Sequence, residues 1–294
     1  VNVLRLKIKS MRIAIILPAH NEASFIIKTL ESLVQQSLKP TRIIVVNDNS
    51  NDLTAQLVKE FAASYDYINL YNHESSVANI PGSKVVQAFN AGLNTLEINN
   101  YNLICKFDAD LIFPLDYLEQ ITAVFNHYPK AGIVAGHCTV AQDGSWVLEK
   151  LTNKDHVRGA LKAYRTACFE QIGGLKISIG WDTVDEMLAR YHNWEVVTIP
   201  RLHVKHLKPT GVSYNPSARY LQGEAFYKMR YGWLLTTITA TKMAWNKRDI
   251  NLVPDYLKGY KLAQKKNLEP LVTASQGRFI RAYRWNGIKA KLFY

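Results

Sequence analysis

RIAIILPAHNEASFIIKTLESLVQQSLKPTRIIVVNDNS, residues 12–50, holds two short apolar runs with a helical pattern between them. Ile13 to Leu17 and Ile43 to Val46 are rich in β-branched residues and of strand length, and Pro18 stops the first. Phe25, Ile26, Thr29, Leu30 and Leu33 recur between them at helical spacing, so the stretch reads as strand, helix, strand. The alternation continues: Leu53 to Ala63 reads as a helix, Tyr67 to Tyr71 as a strand, Val85 to Leu96 as a helix and Tyr101 to Phe107 as a strand. Strands alternating with helices of this length predict a parallel sheet covered on both faces.

Ligands of such open sheets bind beyond the carboxyl ends of the strands. Pro18, Ala19, His20, Asn21 and Glu22 follow the first strand, Asn47 to Asp52 follow the second, and Asp108 and Asp110 follow the fourth. Two carboxylates one residue apart at a strand end can face one cation, and hard oxygen donors suit magnesium or manganese. A cation held there would neutralise a diphosphate leaving group. Lys84 stands just after Pro81-Gly82-Ser83 at a predicted helix N-terminus, where both the helix end and the ammonium suit a diphosphate. Lys106 takes no role, because strand alternation turns it away from the neighbours of Asp108.

Beyond about Pro114 the pattern loosens. Ala131 to Val140 reads as a strand, Val157 to Ile172 as a helix ended by Gly173-Gly174, and Thr183 to His192 as a helix. Arg201 to His206 alternates as a strand, with His203 and His206 on opposite faces. From about Pro209 the chain reads as helices over Ala218–Trp245, Pro254–Lys266 and Arg278–Lys291, with basic and aromatic residues interleaved.

Hydrophobic residues at 48% and charged residues at 20% exclude a disordered chain, and 294 residues suffice for one large domain with an appendage. Three scattered cysteines exclude a disulfide framework and fit a reducing compartment, the cytoplasm. The N-terminus has no apolar core with a small-residue cleavage site, so it does not read as a signal peptide; Met11 is a candidate start, with the residues before it a spare strand or an extension. Residues 1–200 hold 18 Lys and Arg against 20 Asp and Glu, whereas residues 201–294 hold 18 against 4, a net −2 and +14. The excess charge of the last third suggests an anionic partner. No apolar run reaches bilayer-spanning length; Tyr231 to Thr241, bounded by Arg230 and Lys242, reads as an interfacial helix or as one packed on the main domain.

Several segments in order resemble the family 2 glycosyltransferases, inverting enzymes of the GT-A fold. IAIILPAHNEASFIIKTLESLVQQS resembles the family's opening strand, loop and helix, IIVVNDNSNDLT its second strand, and GSKVVQAFNAGLN with CKFDADLIFPLDYLE its central helix and metal motif. RGALKAYRTACFEQIGG and GWDTVDEMLAR resemble the acceptor segment and catalytic helix. The resemblance runs from about Arg12 to His206.

It implies an α/β GT-A domain over 1–208, with a nucleotide-binding half at about 11–113 and an acceptor half at about 114–208, followed by a basic helical extension over 209–294. It implies that Glu22 and Asp48 contact the uracil and ribose of a nucleotide, with Pro18 and Ala19 lining the base; Asn47 replaces an acid common in the family. Asp108 and Asp110 would serve the diphosphate and its Mg2+ or Mn2+, and His206 would be the third metal ligand. Asp182 matches the catalytic base, Trp181 replacing the family's usual Glu before it, and Asp185 is the second choice. Asp182 also suits a helix N-terminus, and the two roles are compatible. His20 is read as structural or base-lining, and Arg158 and Trp181 as pocket groups.

The activity implied is transfer from a nucleotide sugar, UDP-linked, to a saccharide or lipid-linked hydroxyl acceptor, in surface polysaccharide or glycolipid synthesis at the inner face of the cytoplasmic membrane. A sugar-phosphate nucleotidyltransferase is the nearest rival, but PAHNEAS stands where a Gly-rich basic loop belongs. A non-catalytic basic binding protein is the other rival, with nucleic acid disfavoured as a partner. The extension either docks on anionic lipid or braces the catalytic domain.

Overall fold

The β-branched runs form strands and the 3.6-period runs pack over them. The computed structural model describes residues 10–75, 83–149, 156–208 and 218–293. The spare strand proposed before Met11, residues Pro81-Gly82 and the start of the extension lie outside the described residues. In chain order the elements are β1 (Ile13–Ala19), α1 (Ile26–Val34), β2 (Arg42–Asp48), α2 (Thr54–Ala62), β3 (Ile68–His73), α3 (Ser83–Leu93) and β4 (Leu103–Phe107). There follow β5 (Leu111–Ile112), α4 (Tyr117–His127), β6 (Ala131–Gln142), β7 (Ser145–Leu148), β8 (Leu161–Arg165), α5 (Thr166–Gln171), α6 (Trp181–Tyr191) and β9 (Glu195–His206). Last come α7 (Ala218–Lys228), α8 (Trp233–Asn246), α9 (Leu252–Lys265) and α10 (Ala274–Phe293).

The sheet runs β3-β2-β1-β4-β8-β6-β9-β5, with β7 paired to β6. β1 pairs in parallel with β2 and β4, and β2 with β3, as the alternating pattern requires. Ile13 to Leu17 and all of β4 are buried, the signature of central strands covered on both faces. The sheet is mixed rather than parallel throughout: β8 runs antiparallel between β4 and β6, and β5 runs antiparallel to β9. The β6–β7 hairpin turns at Asp143-Gly144, both at positive φ (48° and 76°), the backbone a two-residue I′ turn needs.

Two expectations fail locally. The helix expected over Val157–Ile172 is strand β8 followed by the short α5. Leu161, Lys162, Ala163 and Tyr164 have residue types that favour helices as much as strands, but β4 and β6 offer backbone partners on both edges. Tertiary pairing therefore overrides local preference, even at the buried Lys162. The single helix expected over Ala218–Trp245 is broken into α7 and α8, with Arg230 and Gly232 at positive φ between them.

The described chain forms two compact units. One holds residues 10–75, 84–149, 156–175 and 192–208, with the whole sheet. The other holds residue 83, residues 176–191 and residues 218–293, so α6 groups with the C-terminal helices. There Tyr191 donates to Ser275 Oγ at 3.2 Å and packs edge-on to Phe279, while Arg190 lies over the Tyr283 ring. Cys105, Cys138 and Cys168 are free and buried. No helix among the described residues is long and apolar enough to cross a membrane.

Candidate active site

The loop after β4 is held from below by α1. Thr29 Oγ1 donates to the carbonyl of Ala109 at 2.8 Å and accepts the Leu111 N–H at 3.0 Å, pinning the turn that carries Asp108 and Asp110. β5 then pairs Leu111 with His206, and the Leu207 N–H donates to the Asp110 carbonyl at 2.9 Å. This short antiparallel pairing brings the end of β9 to the acids. His206 Nε2 lies 3.3 Å from Asp110 Oδ2, and ligand atoms of Asp108, Asp110 and His206 all lie within 4.8 Å of one another. Asp110 and His206 are buried and Asp108 half-buried, whereas His203 is exposed and bonds back to the Pro200 carbonyl at 3.0 Å.

Behind His206 sits a group that sequence reasoning did not find. The β6–β7 hairpin carries Glu149, whose N–H donates to the Cys138 carbonyl at 3.0 Å. Glu149 Oε2 lies 3.5 Å from His206 Nδ1 and is ion-paired with Arg158. Nδ1 of His206 has no hydrogen-bond partner of good geometry. Cys138, beside these groups, has its thiol pushed up to about 12 by burial.

Lys106, left without a role from the sequence, is ion-paired with Asp108. Residues i and i+2 of a strand share a face, so alternation brings the two side chains together. Burial pushes the Asp108 carboxyl up, but the Lys106 charge and hydrogen bond, aided by His206 and Arg158, outweigh it and hold the group below its ordinary value.

The loops after β1 and β2 are laced together. Asn21 N–H donates to Ser50 Oγ, Glu22 N–H to Thr54 Oγ1 at 2.8 Å and Ala23 N–H to Asp52 Oδ2 at 3.1 Å. Glu22 is thereby held facing Lys208, whose ammonium donates to Oε1 at 2.7 Å, while Oε2 is buried without a partner. Burial raises the Glu22 carboxyl above its ordinary value against the opposing Lys208, and the charges of Asp110 and Asp108 push the same way. Ala19 is buried and Pro18 half-buried at the end of β1. Asp48 is buried at the end of β2, where Oδ1 accepts the Ser75 N–H at 3.2 Å, and His20 Nδ1 meets the Asp48 carbonyl at 2.6 Å. Lys84 is half-buried in the first turn of α3.

The remaining sites lie on α6, in the second unit. Asp182 is half-buried in the first turn, which opens with Thr183 and Val184 N–H groups on the Gly180 carbonyl. Asp185 is buried, with Oδ1 accepting the Glu186 N–H at 2.6 Å, and Trp181 is also buried. Of the sequence candidates, Asp108, Asp110 and His206 therefore meet in one cluster, and the field of these acids reaches Glu22. Glu149 and Lys208 join them without a sequence signal beyond their charge, and Lys106 joins them against the expectation that alternation turns it away, because i and i+2 share a face.

The family model described as "Glycosyl transferase family 2" matches residues 14–174. Among curated proteins, the "Probable glycosyltransferase YdaM" of Bacillus subtilis (strain 168) is 31% identical over 202 residues, covering 60% of this chain and 44% of that one. The chain spans less than half the length of the curated relatives it matches. Among solved structures, S. aureus TarS 1-349 in complex with UDP-GlcNAc is similar with a TM-score of 0.55 at 20% identity, over 77% of this chain and 66% of that one. The mannosyltransferase PcManGT from Pyrobaculum calidifontis, in complex with GDP-Man and Mn2+, is similar with a TM-score of 0.57 at 16% identity, over 97% and 81%.

Proposed function

Because the chain belongs to glycosyl transferase family 2 and has the GT-A fold, we propose that it moves a sugar, with inversion, from a UDP-linked donor to a hydroxyl acceptor. The observation that carries the reading is the convergence of Asp108, Asp110 and His206 at the carboxyl edge of β4, beside Glu22 with its unpartnered buried oxygen. Two carboxylates and an imidazole within 4.8 Å of one another form a donor set suited to a divalent cation, Mg2+ or Mn2+. When bound, the ion supplies charge neutralisation to the departing diphosphate. Glu149 holds the imidazole from behind, in the manner of the carboxylates that orient metal-binding histidines.

Glu22 Oε2 is a buried acceptor for a base N–H or a ribose hydroxyl, and a donor placed there removes the cost of its desolvation. Asp48, Pro18 and Ala19 complete the nucleoside side. Lys84 and the α3 N-terminus receive the diphosphate. Asp182 takes the proton of the attacking acceptor hydroxyl, a role worth about 10² to 10⁴ in rate. Its partial exposure supports it over Asp185, whose carboxylate is buried on its own helix. The acceptor is a saccharide or lipid-linked sugar, and the chain works at the cytoplasmic face of the membrane in surface polysaccharide or glycolipid synthesis.

The test is a screen of UDP- and GDP-sugars for metal-dependent donor hydrolysis. A UDP-sugar should be hydrolysed, and Asp108→Ala and Asp110→Ala should abolish the metal stimulation. Full turnover by these variants with a chelator present would remove the metal assignment, and hydrolysis of GDP-sugars alone would remove the UDP assignment.

A further inference from the structure

α8 is apolar on two opposite sides. Leu235, Thr236, Ala240 and Ala244 are buried where the helix packs within the C-terminal unit against α7 and α9. Leu234, Ile238, Thr241 and Trp245 follow at i, i+4, i+7 and i+11, which makes a single stripe on the side turned away from that packing. Leu234 is 65% exposed and Trp245 81%, and Ile250, just past the helix end, is 67% exposed. The threonines add little polarity, because Thr237 and Thr241 spend their hydroxyls on the carbonyls of Trp233 and Thr237 at 3.1 and 3.0 Å. Leu234 and Trp245 so exposed on one helix face, with Ile250 exposed just past its end, call for a partner.

Charge identifies that partner. No residue from Ala225 to Arg248 is acidic, and the exposed Lys242, Lys247 and Arg248 border the stripe at its Trp245 end. Tryptophan beside cations on an exposed helix face suits the boundary between acyl chains and anionic headgroups. Fourteen residues at the helical rise span about 21 Å, short of a bilayer core, so the helix would lie in the plane of the interface. We propose that this stripe docks the chain on an anionic lipid bilayer, Leu234, Trp245 and Ile250 entering the acyl boundary and Lys242, Lys247 and Arg248 meeting the headgroups.

The test uses the full chain and sedimentation with phosphatidylcholine vesicles made with or without phosphatidylglycerol. Binding should require phosphatidylglycerol and weaken with salt. Trp245→Ser should weaken it on the order of tenfold, and neutralising Lys242, Lys247 or Arg248 to Gln about fivefold each. Brominated lipid should quench tryptophan fluorescence in the wild type and markedly less in Trp245→Phe. Because these side chains are exposed, the variants should keep the wild-type melting temperature. Absence of sedimentation, or wild-type sedimentation by Leu234→Ser/Trp245→Ser/Ile250→Ser, overturns the proposal. So does concentration-dependent self-association that Trp245→Ser abolishes, which would give the stripe to a second copy of the chain. None of these readouts uses glycosyl transfer, so their outcome is independent of the proposed activity.

Discussion

Glu149→Gln isolates the group behind the metal cluster. The substitution keeps shape and one acceptor but removes the charge that Arg158 and His206 share. Both side chains of the Arg158–Glu149 pair are largely buried, at 16% and 6% exposure, so solvent screens them little. Leaving a buried arginine without its carboxylate costs about 3 kcal/mol of stability. Independently, His206 Nδ1 loses the carboxylate 3.5 Å away that we propose orients the ring with Nε2 toward Asp110. Loss of such a partner weakens metal affinity about 10- to 100-fold. Mn2+ affinity is read from free-ion electron paramagnetic resonance during titration, and stability from denaturant melts. Arg158→Gln is the control: it breaks the same ion pair but leaves Glu149 beside His206, so it should lose stability while keeping Mn2+ affinity. Wild-type affinity in Glu149→Gln refutes the orienting role, and equal weakening in both variants reduces Glu149 to a structural brace.

Asp182→Asn should retain UDP binding by calorimetry and lose transfer; wild-type transfer there with a dead Asp185→Asn would move the base to Asp185. Glu22 has its carboxyl raised above the ordinary 4.5, so its stability contribution is present below that pH and is lost as pH rises through the folded value. Denaturant melts of Glu22→Gln should show a flatter decline across that window, and an unchanged pH profile would contradict it. Asp108 shifts the other way, so its contribution is present above the ordinary 3.8 and lost as pH falls through its lower folded value; Asp108→Asn should lose less stability than wild type on acidification. In the C-terminal unit, a Cβ at Gly223 would lie 1.8 Å from the Tyr256 carbonyl oxygen, and one at Gly259 2.0 Å from that of Tyr220. Alanine at either must part α7 from α9, costing about 1 to 3 kcal/mol against a helix-propensity gain of about 1 kcal/mol; a raised melting temperature would contradict the close approach.

The stretch from β1 to β4 was legible because its signals are local. β-branched runs mark β1, β2 and β4 whatever surrounds them, and the carboxyl ends of those strands point to Glu22, Asp48 and Asp108. Parity placed His203 and His206 on opposite faces and the family resemblance chose between them; His206 is the one buried beside Asp110. The second half resisted the same reading. Leu161 to Arg165 carries no period that distinguishes strand from helix, and Arg230 and Gly232 at positive φ, not the surrounding helix formers, separate α7 from α8.

From the sequence alone came the α/β class, the Asp108-Ala109-Asp110 turn and the basic last third, since each depends on residue type, spacing or charge along a continuous segment. Only tertiary structure could bring Glu149 and Lys208 to that turn's surroundings and set Arg158, a pocket group by the family resemblance, against Glu149. Glu149 and His206 are separated by 57 residues and Lys208 and Glu22 by 186. Their meeting depends on the β6–β7 hairpin, the β5–β9 pairing and the burial those pairings enforce, which no local pattern encodes.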